Sequence, residues 1–146
     1  MPPYDVKQLL KMSAADLDAL FAKSPPGPIP NGPAYGTAII APGTEYTTEI
    51  ASVINHFAWQ GKTFDGKHGT LRNRITLLGL DAIVAEVYID NSLADGKPCI
   101  VLDYSKTSFV AERVRDEIRL IADNTYLGKV YWDNKPTIHF ALQFGG

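Results

Sequence analysis

The stretch Tyr126-Leu127-Gly128-Lys129-Val130-Tyr131-Trp132-Asp133-Asn134-Lys135-Pro136-Thr137-Ile138-His139-Phe140-Ala141-Leu142-Gln143-Phe144 decides the fold. Two apolar-rich segments flank a cluster of turn residues, Asp133 to Pro136. In the second segment Ile138, Phe140, Leu142 and Phe144 alternate with Thr137, His139, Ala141 and Gln143. Side chains along a strand point to opposite faces in turn, so this alternation predicts an antiparallel hairpin with one apolar face. Toward the N-terminus the same rhythm recurs between turn signals at Asp65-Gly66, Asp95-Gly96 and Asp123-Asn124. Strands are predicted over 35–41, 59–64, 70–77, 82–89, 99–103, 117–121, 126–132 and 137–144. The expected fold is mainly β, a barrel of about eight antiparallel strands with accessory helices.

The N-terminal third reads differently. Val6, Leu9 and Leu10, then Leu17, Leu20 and Phe21, recur at helical spacing, which predicts two short helices with Ser13 capping the second. These helices are expected to lie across the barrel surface or to plug one end. Ser24 to Pro33 carries five prolines and forms an extended connector, because proline supplies no backbone donor. A helix capped by Thr47 or Thr48, with Ile50, Val53, Ile54 and Phe57 on one face, is expected to close the barrel. A crossover helix is predicted over 107–115, where Phe109, Val110 and Val114 fall at helical spacing.

At 146 residues, 45% hydrophobic and 21% charged, the chain matches one domain spanning 1–146, with 1–33 as a helical and proline-rich segment packed on the barrel. A formal net charge of -2 argues against nucleic acid as a partner. No apolar run approaches the ~20 residues of a membrane span, and the N-terminus does not resemble a secretory signal, so a cytoplasmic location is expected. Cys99 is the single cysteine, which excludes an internal disulfide. His56, His68 and His139 occur in no paired-ligand spacing, so neither a metal nor another cofactor is expected.

Inward positions that mix apolar groups with Asn, Tyr, Arg and His point to a lined cavity. His139 and Gln143, if turned inward, place an imidazole where it can exchange a proton with a ligand; the other reading puts that face in solvent. The charged run Glu112 to Arg119 suits a solvated helix face; as a strand it puts Glu117, Arg119 and Ile121 on one side. An inward Arg119 then requires a carboxylate partner, with Asp103, Glu86 and Glu117 as candidates. Asn73 shares a face with Leu71 and Ile75. Asn73, Tyr104, Arg119 and His139 are the candidate polar floor for an anionic or carbonyl-bearing head group, and Trp59, Tyr104, Tyr131 and Phe140 are the candidate walls. For catalysis the candidates are His139 with Tyr104 or Asp103.

Leu20-Phe21-Ala22-Lys23-Ser24-Pro25-Pro26, Trp59-Gln60-Gly61-Lys62-Thr63-Phe64, Leu102-Asp103-Tyr104-Ser105, Arg115-Asp116-Glu117-Ile118-Arg119 and Tyr126-Leu127-Gly128 follow one another in an order that resembles the bacterial GXWXG-motif proteins of unknown function. In place of the Gly-x-Trp-x-Gly signature the chain has Gly32-Pro33-Ala34-Tyr35-Gly36. The resemblance implies a small closed barrel like those of lipocalins and fatty-acid-binding proteins, the calycins. Together these readings predict a binding protein enclosing a hydrophobic, lipid-like or aromatic molecule. The alternative is a cofactor-independent isomerase, cyclase, dehydratase or lyase acting on such a molecule. A third reading is an assembly module, such as a homodimer, whose barrel is solidly filled.

Overall fold

Strands β7 (Thr125–Trp132) and β8 (Lys135–Phe144) pair antiparallel, with Trp132 opposite Lys135, as the alternation predicts. Asp133 (φ 49°) and Asn134 (φ 66°) between them are both left-handed. Short polar side chains tolerate that conformation, and such a turn matches the right-handed twist of the strands it joins. This computed structural model describes residues 5–41, 62–66, 69–75, 80–103 and 114–145, of which 62, 63, 65, 71–75 and 80–84 are described by their backbone. The expected lid helix and most of the expected crossover helix lie outside the described residues.

The remaining strands are β1 (Gly32–Ile39), β2 (Lys62–Asp65), β3 (Thr70–Ile75), β4 (Leu80–Asn91), β5 (Pro98–Asp103) and β6 (Val114–Ala122). Each pairs antiparallel with the next, and β1 also pairs with β8, so the strand order returns to its start as a closed barrel. Register shifts at Leu71/Arg72, Leu120/Ala122 and Lys129/Tyr131 supply the local bending that a curved sheet requires. Several expected boundaries change, and the starts of β1 and β6 move by three residues each. β1 begins inside the proline-rich connector, where Pro33 faces Thr63 of β2 before the β8 pairing starts at Ala34. A proline at the start of a strand removes no donor from the longer ladder. Val114 and Arg115, expected at the end of a helix, are strand residues opposite Trp132 and Tyr131.

Two apolar clusters separate the faces of the sheet. The inward one includes Phe64, Val87, Leu102, Ile118, Phe140 and Phe144. Phe144 meets Phe64 and Tyr126 edge-on, with ring centroids 5.2 and 5.5 Å apart. The outward cluster joins Ile39, Cys99, Val101, Leu127 and Ala141 of the strands to Leu9, Leu17, Leu20 and Phe21 of the helices. Helix α1 (Val6–Leu10) starts at a capping box between Asp5 and Gln8, and α2 (Ala14–Lys23) at Ser13, whose Oγ accepts from the Asp16 amide at 3.1 Å. Pro25 and Pro26 stop α2. Each fully buried Leu or Phe contributes roughly 1.5–3 kcal/mol, so these apolar contacts are the main force holding the helices on the barrel.

Candidate functional site

The inward face is built in cross-strand rows. Ile100, Ile118, Gly128 and Phe140 are register partners across β5 to β8. The next inward row, toward the β7–β8 turn, is Leu102, Asp116 and Val130. Asp116 is fully buried, with Val114 and Ile118 on either side of it along β6. It has an interaction within the chain. A buried carboxylate is costly unless it is hydrogen-bonded or paired, so its place among apolar rows marks this level of the interior.

One end of the barrel is spanned by residues 24–31. The Leu120 amide donates to Pro25 O at 3.0 Å, and Tyr126 Oη donates to Pro28 O at 2.7 Å. The Gly66 amide donates to Asn31 Oδ1 at 3.0 Å, and Ile29 packs against the inward cluster. Gly27 (φ +72°) lies against Leu120, where a Cβ would come within 2.6 Å of the leucine Cβ. The opposite end is where β1, β3 and β5 finish and β2, β4 and β6 begin.

The outward face holds most of the buried charge. The guanidinium of Arg119 bonds both carboxylate oxygens of Asp95 at 2.8 Å, and it also donates to the carbonyls of Phe21, Lys97 and Pro98. Its carbon lies 4.4 Å from the centre of the Phe21 ring. The hydrogen bond from Arg119 holds the Asp95 carboxyl down at about 2. Glu117 accepts from Ser92 Oγ at 2.6 Å, the Leu93 amide at 2.9 Å and Arg115 Nε at 3.0 Å. Asp18 of α2 bridges Lys129 Nζ at 2.9 Å and His139 Nε2 at 2.8 Å. Burial lowers the His139 pKa, outweighing the opposing pull of Asp18. Burial acts to raise the Asp18 pKa, but the bonds and charges of Lys129 and His139 outweigh it and leave it lowered.

No family model and no curated protein matches the chain. A crystal structure of a protein from Thermomonospora curvata is similar to it, with a TM-score of 0.60 and 16% identity over 93% of this chain and 90% of that one. At this identity the likeness shows a shared fold alone. The resemblance to the GXWXG-motif proteins therefore rests on the residues quoted above.

The structure divides the residues nominated from the sequence. Phe140 faces inward, packed in the inner apolar cluster. Arg119, His139 and Tyr131 do not. Arg119 and His139 lie beneath α2, and Tyr131 shares the outward side with its register partner Arg115. Burial pushes the Tyr131 phenol upward, and its Oη has no hydrogen-bond partner among the described residues. The carboxylate partner of Arg119 is Asp95, in place of the expected Asp103, Glu86 or Glu117. Asp103 is also outward and accepts from Tyr88 Oη at 2.7 Å. Burial, then that bond, pushes the Tyr88 phenol up to about 12. Asn73 pairs with Lys62 and Ala82 through the β3 backbone, and Trp59 and Tyr104 lie outside the described residues. The physical reason for the misplacement is a third layer: helices cover the outer face, so a buried polar residue need not face the interior. Sequence reasoning misses Asp116 because it stands within a charged run. The alternation of Val114, Asp116, Ile118 and Leu120 is the signal that finds it.

Proposed function

We propose that this chain is a small-molecule binding protein whose barrel encloses a hydrophobic ligand, in the manner of the lipocalin-like barrels. The observation that carries this reading is an inward face that, among the described residues, is apolar in the rows around the buried carboxylate of Asp116, in a ring of strands strapped at one end. Such an interior offers area for apolar contact and one group to orient a ligand. Arg119 and His139 play no part as anchors, because their polar atoms are committed beneath α2. The test is native mass spectrometry of freshly purified protein, together with titration of the neutral dye N-phenyl-1-naphthylamine. A released small molecule or saturable dye binding is the expected result; a clean apo mass with no saturable binding to folded protein would refute the reading.

The second reading, an enzyme without a cofactor, is favoured by the same carboxylate. A carboxylate surrounded by apolar groups is a setting in which an acid–base residue can act on an enclosed substrate. Turnover of an identified ligand that disappears in a folded Asp116→Asn variant would select it over passive binding.

A further inference from the structure

We propose that the α1–α2 layer is a hinged flap latched by the Asp18–Lys129–His139 cluster, and that protonation of His139 loosens the latch. This is independent of what the barrel encloses. The C-terminal end of α2 is fixed: Arg119 donates to the Phe21 carbonyl at 2.9 Å, and just beyond it the Leu120 amide donates to Pro25 O at 3.0 Å. Among the described residues, the polar bonds from 5–18 to the barrel come from Asp18, whose Oδ1 takes both Lys129 Nζ at 2.9 Å and His139 Nε2 at 2.8 Å. A carboxylate only accepts, so the neutral imidazole donates through Nε2–H and the one carboxylate balances the one ammonium. An imidazolium puts a second buried cation on the same oxygen, and a buried charge without its own partner is costly. The other described elements supply no balancing charge. Ile39 of β1 is the register partner of His139, Glu117 lies beyond Lys129 and is taken up by Ser92, Leu93 and Arg115, and Asp5, Lys7 and Lys11 at α1 are exposed. Burial lowers the His139 pKa against the pull of Asp18, so the docked layer resists a proton that the released one accepts. The latch holds above pH 6.5 and weakens as pH falls through the lowered value. Asp95, held down at about 2 by Arg119, keeps the hinge end fixed over that range. Leu9, Leu17, Leu20 and Phe21 hold the flap shut most of the time, so the latch sets how often it opens.

The test is amide hydrogen exchange of the full chain, read by mass spectrometry and corrected for the intrinsic rate at each pH. A released helix as short as α2 does not hold its own hydrogen bonds in water, so opening shows in the exchange of its amides. Between about pH 7.5 and about pH 5 their protection is expected to fall at least about threefold relative to the β7–β8 amides. In His139→Gln, whose side-chain amide still donates to Asp18, that fall should vanish. In Lys129→Met the carboxylate has no other cation, so acid should hold or raise the protection of α2, a reversal that a merely structural His139 would not produce. Constant α2 protection in the unaltered protein would overturn the proposal, as would an equal loss in β7–β8, or the same fall in folded His139→Gln. If His139→Gln does not fold, Lys129→Met decides: a fall as large as in the unaltered protein removes the latch.

Discussion

Replacing Gly128 by alanine tests the packing of the inward face at its tightest point. Gly128 lies opposite Phe140, and a Cβ added there would come 2.2, 2.3 and 2.6 Å from three atoms of the phenylalanine ring. Ordinary carbon contacts are about 3.5–4.0 Å, so the ring must retreat by roughly 1 Å or more. Phe140 is fully buried, which leaves it little room to do so. Overpacking of this kind costs about 1–3 kcal/mol, against which alanine gains about 0.4–1 kcal/mol by restricting the unfolded chain. A net loss of about 1.3 kcal/mol is expected, which lowers the melting midpoint by roughly 3–5 °C. Urea unfolding of Gly128→Ala, Phe140→Leu and the double variant measures it. The smaller leucine makes room for the new methyl, so the double variant should be more stable than the sum of the single losses by about 1 kcal/mol. A Gly128→Ala protein within about 0.5 kcal/mol of the parent, with additive losses in the double variant, would refute the reasoning.

Two further predictions concern the outward face. Arg119→Met should destabilise the fold by about 3 kcal/mol, because it strands Asp95 and the carbonyls of Phe21, Lys97 and Pro98; urea unfolding that shows a loss below about 1 kcal/mol would contradict this. Because the His139 pKa is depressed, the unfolded chain takes up a proton that the folded protein resists, so stability is present above pH 6.5 and is lost as pH falls through the lowered value. The lowered Asp18 carboxyl adds a second loss below its ordinary 3.8, and His139→Gln should remove the first loss while leaving the second; parallel profiles of urea midpoint against pH would count against it.

The elements were legible where local chemistry is strong. The β7–β8 hairpin followed from the alternation after Ile138 and from Asp133-Asn134, residues that accept a left-handed turn. The start of α2 followed from Ser13, and its end from Pro25-Pro26. The candidate site was less legible. The alternation put His139 and Phe140 on opposite faces without saying that α2 would cover the first, and Asp18 and His139 are 121 positions apart in the chain. Asp95, which closes the Arg119 pair, sits in a turn that sequence reading marked only as Asp95-Gly96.

Period-two patterning and turn residues are local properties, so the chain determined the approximate positions of its antiparallel strands and its two N-terminal helices from the sequence itself. Which face became the interior was decided by tertiary structure. Strand pairing and the helix layer both bury side chains, and the sequence pattern records burial without recording which layer supplies it. That is why Arg119 and His139 read as interior groups yet lie under a helix, while Asp116, hidden in a charged run, is a carboxylate turned inward.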